Sequence, residues 1–190
     1  MDDKITLKNI ELSKVSQDLY DAFNSFILSD DTRLFNKLVS RALLYNEVKD
    51  IPGDIVECGV FKGTGMYTFL KLKNIFNPNS SKKVLGFDFF NTKELMDSIS
   101  DETDKNTMDV LFSERAFEHK VSFKENLANQ IRNHKFTDSD FMLVEGDISS
   151  TTKEFSEKNP GFKISLLYMD VDLETPTYNA LNNLWDNMTK

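Results

Sequence analysis

One residue of the 190 is cysteine, Cys58, so the chain can form no internal disulfide and no cysteine-cluster metal site. Two are histidine, His119 and His134, too few for a His-rich zinc site. Basic residues are scarce relative to acidic ones, 23 Lys and Arg against 31 Asp and Glu, a formal net charge of -8. A general nucleic-acid binder needs a basic face, so the acidic balance argues against that class. No apolar run approaches the ~20 residues that span a bilayer, and no membrane partner is expected. The start, Met1-Asp2-Asp3-Lys4, lacks the apolar core of a secretory signal, so the expectation is a cytoplasmic protein. What is present, 39% hydrophobic and 28% charged residues, fits one soluble domain of ordinary size.

The first fifty residues read as two helices forming a cap, 1–50, ahead of the main domain, 51–190. Leu12, Val15, Leu19, Phe23 and Phe26 recur at helical spacing. Asp30 or Asp31 can cap a second helix with Leu34, Leu38, Ala42 and Tyr45 as its stripe. These helices either pack on the domain or form a substrate-side or dimer-forming cap. Pro52-Gly53 breaks the pattern. Short apolar runs at 54–59, 83–88, 141–147 and 164–170 then predict buried strands, with helices at 64–76, 122–134 and 151–158. Thr175 is placed to cap a final helix with Pro176 at its first position. Strands alternating with helices predict a parallel sheet with helices on both faces and right-handed crossovers. The acidic stretch from Asn91 to Asp109 reads as a solvated loop, with a lid as the alternative.

Each strand closes on small or acidic residues: Glu57-Cys58-Gly59, Asp88, Glu145-Gly146-Asp147 and Asp170-Val171-Asp172. In an open parallel sheet these closures share one edge, where ligands bind near the reversal of strand order. The first loop, Glu57-x-Gly59-x-x-x-Gly63-x-Gly65, lets backbone approach a ligand, or makes a tight strand-to-helix turn. Its order is not G-x-G-x-x-G, which argues against a nicotinamide-dependent oxidoreductase, and no P-loop is present. Asp88 can accept from both hydroxyls of a ribose, or serve as a cap or loop ion pair. Asp147 can face an adenine amino group or cap the helix after Ile148. Asp170 and Asp172, at i and i+2, can share a divalent cation such as magnesium, or one can cap the last helix. For a base, His119 is the better guess, since His134 lies near a helix end. Cys58 reads as a small buried hydrophobe.

Glu57-Cys58-Gly59-Val60-Phe61-Lys62-Gly63, Gly86-Phe87-Asp88 and Met169-Asp170-Val171-Asp172-Leu173-Glu174-Thr175-Pro176-Thr177 together resemble the macrocin O-methyltransferase (TylF-type) family. These are class I methyltransferases that use S-adenosylmethionine on sugar hydroxyls of natural products. The resemblance runs from about Gly53 onward, and its most specific part is the Asp170 segment. It implies a Rossmann-like fold. It implies that Glu57, Gly59 and Gly63, with Val60 and Phe61 between them, line the methionine end of the cofactor. Asp88, with Phe89 beside it, would hold the ribose, and Asp147 and Ile148 would flank the adenine. Asp170 would be the catalytic-site ligand of a magnesium ion that polarises a sugar diol, with Asp172 its neighbour. The family pattern continues past the last helix with a glycine turn, a strand and an adjacent Asp pair. The sequence ends at Lys190, before them, so the expectation is a sheet without its last strands and an exposed edge at 164–169. Phe89-Phe90-Asn91 stands where the family tends to have Ser-Phe-Glu-Gly.

The expected function is therefore an S-adenosylmethionine-dependent O-methyltransferase of a sugar-like small molecule, with magnesium a candidate assistant. The alternative is a non-catalytic Rossmann-like module that binds a nucleoside or a partner. A homo-oligomer is left open.

Overall fold

The computed structural model describes residues 14–114 and 122–189, and divides them into two compact units that meet between Ser40 and Arg41. In the first unit, helix α1 spans Lys14–Ile27, and α2, Thr32–Val48, begins there and runs into the second. Asp31 supplies the turn before α2: its carboxylate accepts from the Arg33 N–H at 2.9 Å and from the Arg33 guanidinium. Phe26 and Phe35 pack with ring centroids 6.2 Å apart. Leu12, assigned above to the α1 stripe, lies outside the described residues.

The second unit is built on four strands: β1 (Asp54–Cys58), β2 (Val84–Asp88), β3 (Phe141–Glu145) and β4 (Ile164–Met169). All pair in parallel, in the order β3-β2-β1-β4. Side chains alternate across the sheet, as the two-residue period of a strand requires, except at the register shift of β4, which puts Ile164 and Leu166 on opposite faces. Ile55, Val84, Phe141, Leu143 and Leu166 join one core with Met66, Phe69 and Leu70 of helix α3 (Thr64–Phe76) and Leu127 and Ile131 of α6 (Lys124–Asn133). Val56, Leu85, Phe87 and Ile164 join the other with Ile148 of α7 (Ile148–Lys158) and Ala180 and Leu184 of α8 (Glu174–Leu184). The sheet is thus buried on both faces, which is why its strands read as continuous apolar runs.

The stretch 91–109 departs from the expected solvated loop. It folds as α4 (Thr92–Ser98) and α5 (Glu102–Glu114). The charges that suggested a loop are local helix signals. Asn91 accepts from the Lys93 and Glu94 N–H groups, and Asp101 accepts from those of Thr103 and Asp104, each a cap over orphan donors. Acidic residues in the first turn also suit the helix dipole. α8 starts at Glu174, so Thr175 and Pro176 lie inside its first turn, where the missing proline N–H costs no helical bond. The outer edge of β4 is paired at its beginning: Met188 bridges Ile164 in parallel, and the Thr189 N–H donates to the Ile164 carbonyl at 2.9 Å. The edge is therefore covered there rather than fully exposed.

Among the described residues no helix is long and apolar enough to cross a membrane.

Candidate functional site

Chain order runs outward from β1 to β2 to β3, then returns to place β4 on the other side of β1. The reversal lies between β1 and β4, the position at which open α/β sheets bind ligands. Register brings the tips level there: Cys58 pairs with both Phe87 and Met169, and Asp88 with Glu145. The tips are laced by backbone. The Gly59 N–H donates to the Phe87 carbonyl, and the Asp170 N–H to the Cys58 carbonyl, both at 2.9 Å. Gly59 has φ 86°, and a Cβ there would overlap the Asp170 carbonyl, so only glycine closes this crossing.

Asp88 organises the loop after β1. Its Oδ2 accepts the N–H groups of Val60 and Phe61 at 2.7 and 3.0 Å, and its Oδ1 accepts that of Phe90 at 2.8 Å. Burial holds the carboxyl above its ordinary range, opposed by these amide donors. Phe61 and Phe90 sit at φ 50° and 51°, the left-handed region that bulky residues rarely adopt. The turns Asp88 grips are therefore held against local preference by the surrounding fold. Phe89 is half-buried beside it. Val60 is buried, and Gly63, at φ 85°, is the N-cap of α3.

Glu57 is 1% exposed. Its carboxylate lies over the start of α3, where a Cβ on Gly65 would overlap Oε1. Burial, reinforced by Asp170 and Asp88 and opposed by Arg41, raises its pKa to about 8. Arg41, itself 4% exposed, comes from α2. Its Nη2 lies 3.6 Å from Glu57 Oε1 and 3.2 Å from Asp170 Oδ2, and its guanidinium carbon sits 4.9 Å from the centre of the Tyr168 ring. Two buried polar atoms here have no hydrogen-bond partner among the described residues: Arg41 Nε and Glu57 Oε2. Such orphans are costly unless a ligand or water meets them.

The structure thus brings Glu57, Gly59, Val60, Phe61, Gly63, Asp88 and Asp170 to one edge. Asp147 lies farther along it and caps α7, accepting from the Ser149 and Ser150 N–H groups, with Ile148 buried behind it. Asp172 is exposed in the loop before α8. His134 ends α6, with Nδ1 2.7 Å from the Gln130 carbonyl and 3.3 Å from the Tyr67 hydroxyl. His119 lies outside the described residues. Sequence reasoning missed Arg41. Its signal was a charged residue at helical spacing between Leu38 and Tyr45, on a stripe otherwise apolar.

The orphaned Glu57 Oε2, the glycine cradle and the gripped loop fit a polar small molecule such as S-adenosylmethionine. They do not fit a metal ion by themselves. Asp170 and Asp172 offer two carboxylates, but the described residues hold no group of three candidate ligands, and Asp170 already carries Arg41.

Solved structures share this architecture. The apo structure of CalS11, a TDP-rhamnose 3'-O-methyltransferase of calicheamicin biosynthesis, is 25% identical with a TM-score of 0.65, covering 89% of this chain and 65% of that one. A second structure, of CalS11 described as a calicheamicin methyltransferase, is 25% identical with a TM-score of 0.68, covering 89% and 66%. The O-methyltransferase NovP shares the fold, with a TM-score of 0.59 at 22% identity over 80% of this chain and 60% of that one. The chain thus spans slightly less than two thirds of the length of these relatives. A search of curated protein sequences finds no match. The model of the macrocin-O-methyltransferase (TylF) family matches residues 31–190, taking in every strand tip described above, and the chain belongs to that family.

Proposed function

We propose that this chain binds S-adenosylmethionine and serves an O-methyltransferase whose acceptor is a hydroxyl of a sugar-like small molecule. The observation that carries the reading is the buried, partly unpartnered Glu57 carboxylate beside a glycine loop held by Asp88, at the switch point of the sheet. The cofactor's methionine end would lie along Glu57, Gly59, Val60, Phe61 and Gly63. Its ribose would lie at Asp88 and Phe89, and its adenine near Asp147 and Ile148. When bound, it would supply an electrophilic methyl group for in-line transfer to an acceptor oxygen, with its sulfur leaving as the thioether and the hydroxyl giving up its proton. The chain's own contribution is alignment, which is worth several orders of magnitude in rate when reacting atoms are held in near-attack geometry.

Asp170 is the acceptor-side group in this reading. Its side chain is 36% exposed at the β4 tip, and it would accept a hydrogen bond from the acceptor hydroxyl and fix the direction of the oxygen lone pair. Magnesium assistance would require donors beyond Asp170 and Asp172. A small hydroxylated acceptor and a nucleoside cofactor suit a cytoplasmic setting.

Calorimetric titration with S-adenosylhomocysteine tests the reading without knowledge of the acceptor. Saturable one-site binding, lost in Asp88→Ala, is the expected result. Absence of binding by a folded chain would overturn cofactor binding here and favour a non-catalytic module.

A further inference from the structure

Glu57 is gripped at one oxygen only. Arg41 Nη2 stands 3.6 Å from Oε1, an ion-pair distance longer than a hydrogen bond, and Oε2 has no partner among the described residues. At 1% exposure, an acceptor left open in this way is costly unless a donor reaches it. Burial, with Asp170 and Asp88 adding to it, favours the neutral acid, and Arg41 opposes them. Arg41 is in turn seated by contacts outside Glu57. Its Nη2 donates to Asp170 Oδ2 at 3.2 Å, and its guanidinium lies over the Tyr168 ring. Its place therefore does not depend on Glu57 alone.

We propose that Arg41 is a positioning residue for the cofactor's methionine end: paired with Oε1, it readies Glu57 to accept the α-ammonium group at Oε2. An ammonium has three N–H donors and no acceptor, so it needs a carboxylate oxygen and is turned away by the O–H of a neutral acid. Taking it up requires Glu57 to give its proton to solvent. Arg41 lowers the cost of that step by stabilising the charge left on the carboxylate. Arg41 acts through Glu57 and does not itself touch the cofactor. The inference rests on the reading above that S-adenosylmethionine lies along Glu57, and adds the residue that makes this site favour the amino-acid end over the adenosine alone.

The test is calorimetric titration with S-adenosylhomocysteine and with 5′-methylthioadenosine, which keeps the adenosine and the sulfur but lacks the amino-acid end. In Arg41→Met the affinity for S-adenosylhomocysteine should fall by about tenfold or more, the worth of one hydrogen bond to a charged group. Affinity for methylthioadenosine should stay within about twofold of the wild type. Arg41→Met added to Glu57→Gln should cost less than about threefold beyond Glu57→Gln alone, because the arginine then has no carboxylate to act on. Equal weakening of both ligands in Arg41→Met would mark the arginine as a support of the fold and overturn the proposal. A further loss of about tenfold in the double variant would overturn it too. If Arg41→Met does not fold, Arg41→Gln, which keeps an amide donor and lacks the charge, carries the same comparison with the same two outcomes. A wild type that binds neither ligand sinks cofactor binding itself. A wild type that binds both, with proportionate losses in the variants, sinks only the role of Arg41.

Discussion

The Asp88 carboxylate at the tip of β2 receives the backbone N–H groups of Val60 and Phe61 from the loop after β1, at 2.7 and 3.0 Å. A neighbouring strand thus shapes the loop that the proposed cofactor would touch. Asp88→Ala strands these two donors and that of Phe90 in a half-buried site. Leaving such donors unmet should lower stability by about 2–4 kcal/mol. Urea unfolding measures the loss, and the same variant should lose S-adenosylhomocysteine binding.

Gly65→Ala should be destabilising although it places alanine in a helix. In an open helix the change gains about 1 kcal/mol. Here the new Cβ overlaps Glu57 Oε1, so a buried carboxylate must move. The expected cost is about 2 kcal/mol or more, within the range for overpacking a core. A thermal melt that shows stabilisation would refute the placement of Glu57 over α3.

Glu57 should make the protein less stable as pH rises. Its pKa is raised from an ordinary 4.5 to about 8, so the folded state holds a proton that the unfolded state releases. That contribution is complete below 4.5 and is lost as pH climbs to about 8. Glu57→Gln, which imitates the protonated form, should flatten the profile of unfolding midpoint against pH across that window. An unchanged profile would assign the dependence to other groups.

Lys82 separates stability from the site. Its buried ammonium donates to the carbonyls of Ile51 and Gly53 and to Ser165 Oγ, all at the beginnings of the strands. Lys82→Met removes the ammonium from the Ile51 carbonyl, while Ser165 Oγ still donates to the Gly53 carbonyl, for an expected loss of about 1–3 kcal/mol. Affinity for S-adenosylhomocysteine should stay within twofold or so of the wild type once the variant is folded.

Cys58 should be inert in the native protein. Burial, with Glu57 and Asp88 adding to it, pushes its thiol up to about 12, so almost no thiolate forms near neutral pH. A thiol reagent at neutral pH should label it only after denaturant is added.

The strands were legible in sequence because burial on both faces leaves continuous apolar runs bounded by glycine, proline and acidic residues. Their tips were legible too, since acidic residues closing apolar strands contradict burial unless something meets them. The 91–109 stretch was misread because charge density is a surface signal that loops and exposed helices share. The caps at Asn91 and Asp101 distinguish them only once the backbone turns back on the side chain.

The sequence by itself determined the alternation of strand and helix, the glycine loop and the row of strand-end carboxylates. These follow from local periodicity and from what glycine and buried acids permit. Tertiary structure alone decided that Asp88 spends its oxygens on the amides of the neighbouring loop, and that Arg41 reaches the space between Glu57 and Asp170. Both depend on strand order and on pairs far apart in the chain, and no local pattern encodes which distant side chain will neutralise a buried charge.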